Sequence, residues 1–227
     1  PDAEIYHMVD GETLLSSAKS TGLAVIELSS ELEKMKPDAV ITIADRFETL
    51  ATAIAASYLN IPVIHIQGGE VTGSIDEKVR HAVTKLSDIH LVSTQKAYER
   101  VISMGENPSS VYITGCPSID IAKEVLENPD MDFDPFDKYK GVGNTFDIAS
   151  DYLIVMQHPI TTEHYLSNEQ TLQTLSAIKS LDIPTFWFWP NPDAGSAGIS
   201  KELRRFREYE GHSNIHFVKN GGKFFCS

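Results

Sequence analysis

The stretch from residue 45 to residue 85 most constrains the fold, because it alternates twice between strand-like and helix-like sequence. An apolar run leads into Asp45, a small-residue segment predicts a helix over about 48–59, and a β-branched run predicts a strand over 63–66. That strand ends in the glycine-rich residues 67–70, before another helix. Ligands of open α/β sheets bind at the carboxyl ends of strands, so the polar residues gathered there are the first candidates for a site.

The same alternation continues to the end of the chain. Strands are predicted over 39–43, 90–93, 111–114, 152–156, 185–189 and 215–218, and helices over 23–34, 95–104, 119–126, 168–181 and 199–209. Residues 1–22 resemble a polar loop after a short apolar patch, and residues 128–150, rich in Pro, Asp and Gly, indicate a linker. The aromatic run Phe186 to Trp189 is typical of core, and the apolar run ending at Ile43 is typical of a strand buried on both faces.

This pattern predicts an α/β fold of two Rossmann-like, doubly wound domains. We expect an N-terminal domain over 1–140 that lacks its first strand, and a partial C-terminal domain over 151–227 on the nucleotide-binding side. The sequence opens at Pro1 without an initiator methionine or a signal peptide, and the last strand-like run is followed by few residues. We therefore expect the sequence to be a piece of a longer protein.

Composition excludes several function classes. Nineteen Lys and Arg against 32 Asp and Glu leave a net charge of −13, which repels nucleic acid and anionic membrane. A phosphorylated small ligand remains compatible, because a few local cations and helix N-termini suffice to hold it. The two cysteines lie far apart and no apolar run reaches membrane-spanning length, so we expect a cytoplasmic protein.

One cluster of candidate residues opens the helix after the glycine-rich turn. Ser74 and Glu77 match a capping box, which places Asp76 in the first helical turn. Arg80 lies four residues further on the same helical face, and His81 follows it. The alternative to a functional site is a well-capped helix with a solvated ion pair.

Other candidates also follow predicted strands. Asp45 and Arg46 could supply an acid or base and a cation for phosphate or sugar oxygens, although a carboxylate there is as often a helix cap. His158 follows a strand of the second block, and Asn191 follows the next one. No zinc site is predicted, since the histidines lack companion ligands, and neither GxGxxG nor a Walker A motif occurs. Cys116 is expected to be a buried small residue.

Five ordered motifs together resemble the hydrolysing UDP-N-acetylglucosamine 2-epimerases of sialic-acid and related nonulosonic-acid synthesis: DRFE, HIQGGEVTGSIDEKVRHAVTKL, GCPSID, QHPITTE and PNPDAGS. The resemblance implies the two-domain GT-B fold, with substrate in the cleft between the halves, no cofactor and no metal, and a homo-oligomer. It also implies conversion of UDP-GlcNAc, or a UDP-diacetamido relative, into the free 2-epimeric sugar and UDP through a glycal.

The resemblance assigns roles residue by residue. The catalytic positions are Asp45, Gln67, Asp76 and His158, and His158 also matches a position that contacts UDP. Arg46 and Asn191 likewise match positions that contact UDP. The expected substrate-binding residues are these two together with Glu70, Arg80 and His81.

Two departures from the family pattern bear on these roles. The family usually has glutamate where this chain has Gln67, and a neutral amide cannot exchange a proton as a carboxylate does. Ala44 stands where the family usually has glycine. Three alternatives therefore stay open: a non-hydrolysing epimerase, a catalytically silent UDP-sugar-binding homologue and, with less support, a GT-B glycosyltransferase.

Overall fold

A computed structural model describes residues 3–11, 13–73, 75–129, 131, 133–191, 195–209 and 214–219. Its contacts divide the chain into two units, Pro1–Asp120 and Ile121–Ser227. This division falls before the boundary at residue 140 that the sequence pattern predicts.

The first unit is built on a parallel sheet with strand order β1-β2-β3-β4. Its elements, in chain order, are α1 (Leu14–Met35), β1 (Val40–Ile43), α2 (Phe47–Tyr58), β2 (Val63–Ile66), α3 (Ile75–Lys85), β3 (Ile89–Val92), α4 (Gln95–Ser103), β4 (Val111–Ile113) and α5 (Pro117–Glu127), the last of which crosses the division. The predicted strand and helix alternation is confirmed.

Small residues explain the helical layer on this sheet. Ala51, Ala53, Ala55 and Ala56 of α2 are buried, which lets α1 and the sheet approach that helix closely. Val63 of β2 is buried in one cluster with Ala53, Ala55 and Ala56.

One prediction for β1 is wrong. Thr42 is buried, whereas Ile41 and Ile43, on the opposite face of the strand, are 63% and 49% exposed. The strand is therefore covered on one face by the described residues rather than on both. β1 forms an edge of the sheet, so its side chains have fewer neighbours than those of a central strand.

The first helix also begins earlier than predicted. The sequence pattern indicates a loop up to residue 22, whereas α1 begins at Leu14. Thr13 and Ser16 form a reciprocal capping box that satisfies two free backbone N–H groups of the first turn. The serines and Gly22 of α1 are typical of loops, so the sequence pattern does not predict the first turns of this helix. Gly22 has no neighbouring atom within 4 Å of an added Cβ.

The second unit contains a parallel sheet with strand order β5-β6-β7. Its elements are α6 (Pro135–Tyr139), β5 (Leu153–Met156), α7 (Ser167–Leu181), β6 (Thr185–Phe188), α8 (Ser196–Tyr209) and β7 (Ile215–Val218). Trp187 is fully buried beneath α7 and α8, together with Leu175, Leu203 and Phe217. Trp189, predicted as core, is only half-buried.

The linker prediction for residues 128–150 is also wrong. Phe136 of α6 lies 5.0 Å from Phe186 between ring centroids, and Phe146 lies 4.7 Å from the same ring. Val142 forms an isolated antiparallel bridge with Phe217 of β7. The aromatic residues lack helical or strand periodicity, yet they bury enough apolar surface to fix the segment against the sheet.

Among the helices described, none has both the length and the apolar character needed to cross a membrane.

Candidate active site

The first unit joins Asp45 to Arg80 across 35 residues of sequence. Asp45 follows β1, while Arg80 projects from α3, where it is 5% exposed. Nη2 of Arg80 donates to Oδ2 of Asp45, and Nη1 donates to the backbone carbonyl of Glu70 at 2.9 Å. Burial lowers the pKa of Arg80, but the guanidinium stays charged. Three predicted residues therefore meet at the strand ends, with Arg80 fixing the carboxylate of Asp45.

Two strand ends turn at non-glycine residues with left-handed backbone. Ala44 and Gln67 both have φ of 64°. The N–H of Ala44 donates to Ile66 at 3.0 Å, and the N–H of Gln67 donates to Leu91 at 2.9 Å. Each turn thus extends the parallel ladder by one residue before the chain changes direction. This places Asp45 and the 67–70 loop at the carboxyl ends of the neighbouring strands β1 and β2.

Arg100 is a residue that the sequence analysis missed. It donates from Nη1 to the carbonyl of Gly69, beside the contact of Arg80 with Glu70. Two arginines from α3 and α4 therefore hold consecutive carbonyls of the loop. An arginine on an amphipathic helix gives no sequence signal that distinguishes this role from a solvated surface position.

Gln67 is held by Cys116, which lies just before α5. Nε2 of Gln67 donates to the cysteine Sγ at 3.2 Å. The backbone N–H of Ile119, with smaller contributions from Ser118 and Gln67, lowers the pKa of the Cys116 thiol. Cys116 is half-exposed, so the expectation of a buried small residue is wrong. The thiol provides an acceptor that orients the amide of Gln67.

His65 connects the two loops and was also missed. It is fully buried in β2, with Nε2 3.0 Å from the carbonyl of Ala44 and Nδ1 3.2 Å from the hydroxyl of Thr84. A carbonyl only accepts, so Nε2 carries the proton and donates to Ala44. Burial is the main cause that lowers the pKa of His65 to about 4. The neutral imidazole thus tethers the residue before Asp45 to helix α3.

This histidine should make stability depend on pH. Its pKa is about 4 in the folded state and about 6.5 when unfolded, so the unfolded chain binds more protons between these values. The stability contributed by neutral His65 is present above pH 6.5 and is lost as pH falls toward 4. We expect this residue to lower the free energy of unfolding by about 2 kcal/mol between pH 7 and pH 5.

Urea titrations at both pH values would measure this loss. The variant His65→Gln keeps an amide N–H for the carbonyl of Ala44 but does not titrate. Between pH 7 and pH 5 its free energy of unfolding should fall by about 2 kcal/mol less than that of the wild type. The same fall in both proteins would contradict the assignment.

The start of α3 is capped by Glu77. Its Oε2 accepts from the N–H groups of Gly73 at 2.7 Å and Thr72 at 3.0 Å, and the bond from Gly73 is the main cause that lowers the pKa of Glu77. Asp76 lies beside it, half-buried, in the first turn of the helix. His81 Nε2 is 3.9 Å from Glu77. Ser74, the predicted N-cap, lies outside the described residues.

Arg46 lies at the N-cap position of α2 and pairs with the glutamate of its own motif. Its Nε and Nη2 both contact the carboxylate of Glu48 at 3.2 Å, and its side chain is 42% exposed. The DRFE motif therefore forms a local bidentate pair beside Asp45.

In the second unit, His158 and Asn191 come together. The backbone N–H of Asn191 donates to Nδ1 of His158 at 3.3 Å, which leaves Nε2 to carry the proton of the neutral ring. His158 is exposed after β5, and Asn191 follows β6. Within the described residues no group of three or more His, Cys, Asp or Glu side chains could hold a metal ion.

Solved structures define the class of fold. The structure of UDP-GlcNAc 2-epimerase from Methanocaldococcus jannaschii in complex with UDP-GlcNAc and UDP matches 93% of this chain and 56% of its own, with a TM-score of 0.71 and 18% identity. The structure of UDP-GlcNAc 2-epimerase from Neisseria meningitidis bound to UDP-GlcNAc matches 94% of this chain and 57% of its own, with a TM-score of 0.69 and 21% identity. The chain is therefore an α/β protein of the GT-B type.

The sequence identifies the family within this class. The profile of the UDP-N-acetylglucosamine 2-epimerase family matches residues 3–224, and the chain belongs to that family. The UDP-N,N'-diacetylbacillosamine 2-epimerase (hydrolyzing) of Legionella pneumophila is 33% identical over 90% of this chain and 52% of its own length. Polysialic acid biosynthesis protein P7 of Escherichia coli is 37% identical over 76% of this chain and 43% of its own length. The chain thus spans about half the length of the curated relatives it matches, or less.

Proposed function

We propose that the protein is a hydrolysing 2-epimerase that converts UDP-GlcNAc, or a related UDP-2-acetamido sugar, into the free 2-epimer and UDP. The observation that carries the proposal is the buried Arg80, which holds Asp45 and the 67–70 loop together at the strand ends. Relatives whose names specify the hydrolysing reaction support it, including those of Legionella pneumophila and Campylobacter jejuni.

The reaction needs removal of the proton at C2 and departure of UDP, followed by addition of water to the glycal. Carboxylates suit the first and last steps because they exchange protons, and we assign these steps to Asp45 and Asp76. The pair with Arg80 fixes the position of the Asp45 carboxylate. We interpret Arg80 as a residue that positions Asp45, in addition to its predicted place in the substrate-binding set.

The departing diphosphate requires donors and cations. We assign UDP contacts to His158 and Asn191, whose mutual hydrogen bond would direct Nε2–H of the ring toward the ligand. Arg46 would add a cation, with Glu48 fixing its planar guanidinium. Two solved relatives that contain UDP-GlcNAc support a nucleotide-sugar ligand.

Incubation of the protein with UDP-GlcNAc and with its diacetamido analogue tests the proposal, with UDP and sugar products followed by NMR. We expect free 2-epimeric sugar and stoichiometric UDP. A product that keeps its nucleotide would instead identify a non-hydrolysing epimerase.

A substitution at Gln67 distinguishes an active epimerase from a catalytically silent UDP-sugar-binding homologue. Because Cys116 orients its amide, we interpret Gln67 as a residue that positions the sugar rather than one that exchanges protons. Gln67→Glu is therefore expected to change kcat by less than about tenfold, an effect typical of losing one neutral hydrogen bond. The measurement is UDP release under saturating substrate. A rise from near-zero turnover by several orders of magnitude would favour the catalytically silent alternative.

A further inference from the structure

The second unit contains a cavity of about 460 Å³ that none of the predicted site residues lines. Its walls come from the segment 139–142, from helix α8, and from residues at the ends of β6 and β7. All of these belong to Ile121–Ser227, so the cavity forms within one folded unit. Small-molecule sites commonly have volumes of roughly 300–1,000 Å³.

The cavity concentrates positive charge. Among the described residues that line it, none is acidic and four are cationic: Lys140, Arg204, Arg207 and Lys219. Within the described part of the chain these four form no ion pair with a carboxylate. The whole chain carries a net charge of −13, so the positive charge of the cavity contrasts with the negative charge of the chain as a whole. Such a local field attracts an anion.

Aromatic side chains provide the rest of the lining. Trp189 is half-buried, and its ring centroid lies 6.5 Å from that of Phe217. The guanidinium of Arg204 lies 5.8 Å from the Trp189 ring. Flat apolar surfaces next to cations favour a ligand with a planar ring and attached anionic groups.

One wall is held by close backbone packing. Val142 and Phe217 exchange two backbone hydrogen bonds, of 2.9 and 2.8 Å. At Gly141 an added Cβ would lie 2.6 Å from the carbonyl oxygen of Phe217, so this approach requires glycine. The cavity is therefore largely formed before any ligand arrives.

We propose that this cavity binds a phosphorylated nucleoside. Arg204, Arg207 and the two lysines contact the phosphates, and the base packs against Trp189. The site is distinct from His158 and Asn191, to which the proposed function assigns the UDP of the substrate.

Tryptophan fluorescence offers a direct test, because the chain has only two tryptophans. Trp187 is fully buried, whereas Trp189 lines the cavity, so a ligand there should change mainly the Trp189 signal. The probes are UDP, uridine and inorganic pyrophosphate. The proteins are the wild type, Arg204→Ala/Arg207→Ala, His158→Ala and the control Arg205→Ala. Arg205 lies on the same helix, is 69% exposed and faces Glu202 at 3.9 Å without lining the cavity.

We expect the UDP binding that Trp189 reports to be at least about tenfold weaker in the double variant than in the wild type, since two charge-assisted contacts are lost. Arg205→Ala should leave this binding within about twofold of the wild type. His158→Ala should weaken UDP binding at the proposed substrate site and keep the component that depends on Arg204 and Arg207. Uridine and pyrophosphate should each bind more weakly than UDP. Thermal unfolding of the double variant checks that the second unit remains folded.

Other results would overturn the inference. Loss of UDP binding in His158→Ala, with the double variant unchanged, would leave the proposed substrate site as the only nucleotide site. Pyrophosphate binding as tight as that of UDP would show that the cavity does not bind the base. No fluorescence response in the folded wild type would exclude a nucleotide at Trp189.

Discussion

Asp45→Asn should lower kcat for UDP release by at least about 100-fold, because an amide cannot take the proton that the carboxylate removes. The same change should lower the free energy of unfolding by about 2 kcal/mol. Arg80 is only 5% exposed, and its charge would then lack an ionic partner. Steady-state UDP release and urea unfolding measure the two effects.

The matched control is Glu48→Gln, which breaks the other carboxylate–arginine pair at the same sheet edge. Arg46 and Glu48 have side chains 42% and 33% exposed, so this pair should contribute less than about 1 kcal/mol. The double variant Asp45→Asn/Arg80→Met removes the buried charge as well, and should be less destabilised than the sum of the single variants. Equal stability losses for Asp45→Asn and Glu48→Gln would contradict a special role for the buried pair.

Gly69→Ala is expected to destabilise the first unit by about 4 kcal/mol. The residue has φ of 79°, and an added Cβ would lie 2.5 Å from the carbonyl oxygen of Ala97, a backbone atom of α4 that cannot move without shifting the helix. Left-handed strain alone accounts for about 1–2 kcal/mol, and the overlap adds the rest. Urea unfolding, or hydrogen exchange if the variant is too unstable, gives the difference.

Gly73→Ala separates the two contributions. Gly73 also has positive φ, at 71°, but a Cβ there meets nothing within 4 Å. This control should lose only about 1 kcal/mol. If both variants lost the same amount, backbone strain rather than packing against α4 would explain the glycine.

Much of the fold was predictable because parallel strands leave a strong sequence signal. Short apolar runs bounded by Gly, Pro or Asn predicted β2 and β7 at their observed bounds. Helix α1 was missed at its start because its Ser and Thr residues resemble a loop, although Thr13 and Ser16 satisfy the first turn. The segment 128–150 was missed because irregularly spaced aromatics pack only once the second sheet exists.

The candidate site, like the fold, was only partly predictable from the sequence. Asp45 and Arg80 were both predicted from their positions after strands and on a helical face. Their hydrogen bond to each other was not predicted, because a helix pattern shows neighbours four residues apart. This contact depends instead on how β1 and β2 align. His65 and Arg100 were missed since one resembles a buried strand residue and the other a surface charge. The role that each predicted residue has toward a substrate stays a prediction.

The bridge between Val142 and Phe217 also affects how this protein can associate with others. Strand β7 would otherwise offer an open row of amide and carbonyl groups to any extended peptide, a common beginning of unwanted oligomers and fibrils. Val142 occupies the middle of that row from within the same chain. A strand contributed by another molecule would therefore have to displace Val142 before it could pair along the whole of β7.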